Sequence, residues 1–192
     1  VFNNIRQGLT ATVAAALAAI LATSVVGGPA AAAPVTAAPD LSPAAVAAAM
    51  ASHLASIDPA KAKAQPATLR LTSRGMTSAT IVCTASSLAG IRTFGGWNSV
   101  VGKGLSECPV PVDNLVAQTS LFEWDFFVGD WIEVSVGNYA NGPGTKAESV
   151  TGEYTCRTES RDYVAITFHY ARVGNAYATA VTASTIVPCE FV

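Results

Sequence analysis

The sequence predicts a small, disulfide-bridged, all-β domain: an antiparallel β-sandwich of immunoglobulin-like type, preceded by a signal peptide and a short Ala-rich helix. Three features point there. From about Thr77 the Ala-rich composition of the first part gives way to Val, Thr, Tyr, Phe and Trp, which fit a pleated sheet. Turns containing Gly and Pro then divide the chain into short runs about ten residues apart, as in a sandwich or barrel. All four cysteines (Cys83, Cys108, Cys156 and Cys189) fall in this same region.

Taken from the beginning, residues 1–32 read as a secretory signal peptide. Arg6 is followed by an uncharged run of 18 residues from Leu9 to Val26, then by Gly27-Gly28-Pro29 and the small residues Ala30 to Ala33. A basic start, an apolar centre and a small-residue exit are its three parts. Cleavage is expected after Ala31 or Ala32. The competing reading is a membrane anchor. The run is at the lower edge of what a bilayer requires, is built mostly of Ala, and leads directly into the cleavage-like site. The processed protein is therefore expected to be secreted and extracellular, without a membrane span. Whole-chain figures of 51% hydrophobic and 12% charged residues mostly reflect the alanines of the first sixty positions.

Residues 33–76 form an Ala/Pro-rich leader with a linker. Ser42-Pro43 is a helix start, because serine caps free amides and proline suits the first turn. A helix over about 43–57 presents Val46, Met50 and Leu54 as a narrow apolar stripe, ended by Asp58-Pro59. His53 in this helix reads as solvated or half-packed. Residues 60–68 read as flexible linker.

The β domain spans 77–192. Strands are expected near 78–87, 99–107, 113–124, 127–137, 147–157, 162–172 and 177–188, a seven-strand, immunoglobulin-like count. Their period is two. Val164, Ile166, Phe168 and Tyr170 share one face; Tyr163, Ala165, Thr167, His169 and Ala171 share the other, which reads as an exposed, mixed surface. Val128-Gly129-Asp130 makes a tight connection and Asn141-Gly142-Pro143-Gly144 a looser one.

Four cysteines in an exported chain suggest two bridges. Tyr154, two residues before Cys156, stands where immunoglobulin sandwiches place a corner tyrosine, which would join Cys83 to Cys156 and leave Cys108 for Cys189. Sequential pairing, Cys83–Cys108 and Cys156–Cys189, needs only that neighbouring runs pack together and is preferred. Its loops of 25 and 33 residues are each worth ~3–4 kcal/mol in the chain-entropy account. With no Cys-x-x-Cys and no histidine near a cysteine in sequence, zinc is a poor reading, and no metal or cofactor is expected.

Ala79-Thr80-Ile81-Val82-Cys83, Ser106-Glu107-Cys108-Pro109-Val110, Leu121-Phe122-Glu123 running into Val128-Gly129, Tyr154-Thr155-Cys156 and Val187-Pro188-Cys189 follow one another in an order that resembles a group of small secreted actinobacterial proteins. These are four-cysteine β-sandwiches of unassigned function. The resemblance covers about residues 78–192 and implies a fold and a compartment, with no catalytic residue to carry over. The stretch Glu123 to Phe127 is more aromatic and acidic here than in that pattern.

Little in the sequence points to catalysis. His169 is the one histidine of the β domain, and no Gly-x-Ser-x-Gly accompanies it, so no catalytic residue is assigned. Glu123 and Asp125, with Asp130 and Glu133 beyond the turn, could in principle serve glycoside chemistry. Alternation gives a simpler account: Phe122, Trp124 and Phe126 form a core row and the acids the solvated face. No alternating acid-and-glycine run suggests calcium. Six basic against eleven acidic residues from Thr77 onward, a net of −5, argue against nucleic acid. Gly95-Gly96 and Gly102-x-Gly104 read as turns or bulges.

Phe127 and Trp131 fall out of phase with the apolar rows and are expected to be exposed beside Glu123 and Asp125, as a contact surface for an extracellular protein or a glycan. The function expected is thus a secreted, non-catalytic, extracellular or envelope-associated binding module. The alternative is a secreted inhibitor or effector acting on another protein, and the least favoured is a glycan-active enzyme. The sequence is silent on oligomeric state.

Overall fold

The computed structural model describes residues 38–72 and 79–191. The signal-peptide segment 1–32 lies outside the described residues, as do the adjoining residues 33–37. The described residues belong to one compact unit, Ala38–Val192.

Helix α1 (Pro43–Leu54) begins as its sequence dictates. Ser42 Oγ accepts from the Ala45 N–H at 3.3 Å, and Asp40 accepts from both the amide and the hydroxyl of Ser42, at 2.8 and 2.9 Å. Pro43 takes the first turn, where a missing N–H costs nothing. Val46, Met50 and Leu54 are buried. Twelve residues of helix are marginal in water, so tertiary packing must hold α1 in place. Its stripe lies on Phe122, Trp131, Val164, Ile166 and Phe168. The helix and the strand after it, β1 (Ala67–Thr72), are therefore part of the same folded unit as the strands downstream.

The remaining strands are β2 (Thr80–Phe94), β3 (Trp97–Asp125), β4 (Asp130–Val136), β5 (Ala140–Val150), β6 (Tyr154–Thr155), β7 (Arg161–Val173), β8 (Ala176–Ala183) and β9 (Val187–Cys189). They form one nine-stranded sheet in the order β1-β2-β3-β7-β8, with β4, β5 and β6 also on β3, and β9 on β7. The ends of the sheet come together: the Gln65 N–H, just before β1, donates to Ala183 O at the end of β8 at 3.0 Å. The fold is thus a nearly closed single-sheet barrel, which corrects the expected two-sheet, immunoglobulin-like β-sandwich.

The reason lies in β3. Runs 99–107 and 113–124, which periodicity reads as two strands, are one strand of 29 residues. Pro109 and Pro111 have no N–H to donate, and the β3–β5 ladder shifts register between Glu107 and Val112. The chain bends at this point without leaving the sheet. Its first half pairs with β2 and its second half with β7, both antiparallel, so no gap divides one sheet from another.

Both disulfides are sequential, Cys83–Cys108 and Cys156–Cys189. The first joins the paired strands β2 and β3. The second ties the segment after β6 to β9. Tyr154 forms no immunoglobulin-type corner with Cys83. Its hydroxyl accepts from Arg157 Nη2 at 3.4 Å, and its ring leans on Tyr163.

Both faces of the β3–β7 region are covered, which alternation alone could not show. Val116, Phe122, Val164, Ile166, Phe168 and Tyr170 point outward and meet α1 or the apolar side chains around it. Tyr163, Ala165, Thr167, His169 and Ala171 point inward and are fully buried. The sequence reading of this second row as an exposed surface is therefore corrected: it is the inside of the barrel.

Space inside is tight. A methyl group at Gly104 would overlap the side chains of Thr119 and Thr167, and one at Gly102 would come within 3.1 Å of Ala165 and Thr151. These glycines are neither turns nor bulges but places where the first half of β3 closes on the opposite wall.

Candidate functional site

A chain of hydrogen bonds crosses the barrel interior. Leu69, Leu71, Leu115 and the Cys83–Cys108 bridge pack toward one end, and Val100, Leu121, Tyr163 and the Cys156–Cys189 bridge toward the other. Between them lie Ser87, Ser106, Thr119, Thr167, His169 and Thr182, all buried. His169 Nδ1 is 2.8 Å from Ser106 Oγ, and Nε2 is 2.8 Å from Thr182 Oγ1. Ser87 Oγ continues the chain to Thr182 Oγ1 at 2.6 Å and Thr167 Oγ1 at 2.7 Å, and Thr167 reaches Thr119 at 3.0 Å. Ser106 Oγ can donate to Val116 O at 3.1 Å and Thr119 Oγ1 to Ser149 O at 3.5 Å, so both ends finish on carbonyls.

This arrangement satisfies polar atoms that would otherwise be costly in a dry interior. Burial lowers the His169 pKa from 6.5 to about 4, so the imidazole is neutral at pH 7. A serine 2.8 Å from a histidine resembles half of a hydrolase triad. Here the ring is 0% exposed, and no reacting carbonyl could reach the serine without opening the barrel. The network acts as a polar centre that specifies one packing of small side chains.

A second buried polar group lies near the end of β3. Glu123 is only 4% exposed. Its Oε1 accepts from Arg157 Nε at 2.8 Å and its Oε2 from the Tyr163 hydroxyl at 3.1 Å. Burial, reinforced by the Glu123 charge and hydrogen bond, pushes the Tyr163 phenol well above its ordinary value. Glu123 is thus a structural anchor for Arg157 and β7, paired and closed off, and poorly placed as a general acid.

The accessible chemistry lies on the adjoining rim. Two hairpin tips carry it: Phe94-Gly95-Gly96-Trp97 between β2 and β3, and Phe126-Phe127-Val128-Gly129 between β3 and β4. Gly95, Gly96 and Gly129 have φ of 60°, 86° and 70°, left-handed values that favour glycine and let the chain reverse there. Asp125 Oδ1 accepts from the amides of Phe127 and Val128, at 2.8 and 3.2 Å, which holds the second tip. Phe94 is 85% exposed and Phe127 87%, while Trp97, Phe126 and Val128 are also exposed.

The two tips share one end of the molecule. Trp97 meets Phe191 edge to face, with ring centroids 5.7 Å apart, and the Phe191 amide donates to Arg157 O. Cys189, two residues before Phe191, pairs in β9 with Arg161, whose guanidinium lies over the rings of Phe126 and Phe127 at 5.3 and 5.7 Å. The Cys156–Cys189 bridge fastens the segment between the tips. The three nearby arginines are each engaged by a carboxylate: Arg92 by Glu153, Arg157 by Glu123 and Arg161 by Glu159. Asp125, Asp130 and Glu190 have no cationic partner among the described residues, so the uncompensated charge around the tips is negative.

The four residues singled out in the sequence separate. Phe127 is at the exposed tip, Asp125 caps it, and Glu123 is buried against Arg157 and Tyr163. Trp131 is 9% exposed and packs edge to face on Trp124 beneath the helix layer, its indole N–H without a hydrogen-bond partner. The expected core row also shifts, since Phe122 is buried, Trp124 half-buried and Phe126 exposed. A bulge between Leu121 and Phe122 changes the β3–β4 register, and α1 covers the face on which Trp131 lies. Phe94 and Phe191 had no sequence signal beyond the aromatic flanks of Gly95-Gly96, because the second disulfide is what brings Phe191 there.

Among the described residues, no three His, Cys, Asp or Glu side chains converge as metal ligands, and no helix is long and apolar enough to cross a membrane. No family model, curated protein or solved structure matches the chain. The resemblance to secreted four-cysteine proteins therefore rests on its own short motifs.

Proposed function

We propose that the chain is an exported, non-catalytic module that binds a protein through the aromatic rim formed by Phe94, Trp97, Phe126, Phe127 and Val128. One observation carries this reading. Large apolar side chains, two of them more than four-fifths exposed, gather on two tight hairpin tips at one end of the barrel. Exposed apolar clusters of this kind are costly in water and are commonly contact sites. Aromatic side chains have few rotatable bonds and lose little entropy on docking.

The partner's chemistry follows from the surroundings. Val128 and the aromatic rings favour an apolar socket, and the uncompensated Asp125, Asp130 and Glu190 favour a border of Lys and Arg. A glycan is less suited, because the Trp97 and Phe191 rings meet at 83° and Phe126 and Phe127 share Arg161. An inhibitor or effector is the special case in which the partner is an enzyme. Burial of His169 and pairing of Glu123 support a non-catalytic role, and two disulfides with no free cysteine among the described residues support an oxidising compartment.

The test places a photo-crosslinking amino acid at position 127, and as a control at position 82, in the full chain made by its producing cells. Recovery of one protein from position 127 only, lost on Phe94→Ser and weakened by salt, is the expected result. Retention on insoluble polysaccharide, lost in the same variant, would replace the protein reading with the glycan one. Equal labelling from both positions would sink the proposal.

A further inference from the structure

A separate apolar groove opens on the outer face of the barrel, away from the aromatic rim. It has a volume of about 460 Å³, inside the range of sites that hold small molecules. Val46 and Met50 of α1, with Leu41 just before the helix, form one wall, and Val136 of β4 lines the groove as well. Four polar side chains interrupt this lining, Gln118, Ser120, Glu133 and Tyr139, and two of them matter most. Ser120 of β3 is fully buried, and its hydroxyl has no hydrogen-bond partner. Glu133 of β4 is exposed, also lines the groove, and has no ion-pair partner among the described residues.

These two side chains lie on the same face. Ser120 pairs with Val136, and Phe122 with Glu133, across the β3–β4 ladder. Directly opposed residues project to the same side, so Ser120 and Glu133 are diagonal neighbours beneath α1. An unpartnered buried hydroxyl is uncommon in a folded protein, because leaving it unpaired wastes the hydration it lost. Here it adjoins a space large enough for a ligand. Of the other two polar side chains, Gln118 already donates to Gly137 O at 3.0 Å, and Tyr139 is exposed.

We infer that this groove binds a single-chain amphiphile with a cationic amine head. The alkyl chain lies along Val46 and Met50, which are one helical turn apart. The ammonium donates to the Glu133 carboxylate and to Ser120 Oγ. Charge decides the class of head group: no Lys or Arg lines the groove, so a carboxylate or phosphate head would face Glu133 without compensation. A neutral alcohol would gain the apolar contacts and the serine hydrogen bond but not the ion pair.

The experiment uses the full chain with ¹³C-methyl methionine, carrying Met76→Leu so that Met50 supplies the one methionine signal. Dodecylammonium, dodecanol and dodecanoate are titrated below their micelle concentrations. The expected result is saturable movement of the Met50 methyl, tightest with the ammonium and weakest with the carboxylate. Glu133→Gln should weaken the ammonium about tenfold, to the level of the alcohol, as loss of a charge-assisted hydrogen bond does. Ser120→Ala should weaken it about threefold without loss of folded protein. Phe127→Ser should leave the titration unchanged, which separates this site from the rim. A still Met50 signal, equal affinity for all three amphiphiles, or contacts from Met50 to residues preceding Ala38 in the ligand-free protein would each overturn the inference.

Discussion

Lowering the pH from 7.5 to 5 should cost this protein about 2 kcal/mol of folding stability through one residue, His169. The ring is fully buried and held between Ser106 and Thr182, and burial brings its pKa from 6.5 to about 4. In the unfolded chain the same ring returns to about 6.5. Between those values the unfolded state binds a proton that the folded state refuses, so stability falls as pH drops through 6.5 and levels off below 4. Each unit of difference is worth about 1.4 kcal/mol. The full penalty is therefore about 3 kcal/mol, of which about 2 is reached by pH 5. Urea unfolding of the oxidised protein at several pH values, alongside His169→Gln, measures it. Carboxylates titrate in both proteins and cancel in the comparison. The wild type should lose about 2 kcal/mol more than the variant over this interval, and the His169 ring proton should titrate near pH 4 by NMR. Losses equal within about 0.5 kcal/mol, or a ring midpoint at 6 or above, would refute a closed interior.

Two further changes probe the packing. Gly104→Ala puts a methyl into Thr119 and Thr167, and should lower stability by about 2–3 kcal/mol in urea melts, whereas Gly96→Ala at the exposed tip meets no atoms and costs only its left-handed φ, about 1 kcal/mol. Met50→Ala removes a buried side chain between α1 and the sheet. It should cost about 2–4 kcal/mol, and hydrogen exchange should accelerate in α1 before the inner strands β3 and β7.

Local features were legible in the chain, because they depend on neighbours in sequence. Ser42-Pro43 marks the start of α1, and the Val46, Met50, Leu54 stripe names its buried side. Period-two runs locate most strands, and cysteine spacing favours the bridges that form. Which way a strand faces was not legible. The row Tyr163 to Ala171 has the mixed character of a solvated surface, yet its hydroxyls and imidazole are satisfied by partners 13 to 80 residues away, on other strands. No local pattern encodes such partners.

Tertiary structure alone decided four things. Pro109 and Pro111 bend β3 without ending it, so one sheet closes into a barrel where two were expected. Helix α1 covers the outer face and turns Trp131 from a surface residue into a core one. Arg157 and Tyr163 close over Glu123. Phe94, Trp97, Phe126 and Phe127 meet at one rim because a disulfide and β9 bring its parts together. The amino-acid sequence by itself determined where α1 begins, where most of the strands lie and which cysteines are neighbours. Burial, pairing and the gathering of the rim are sums over contacts distant in sequence, and they exist only once the sheet has closed.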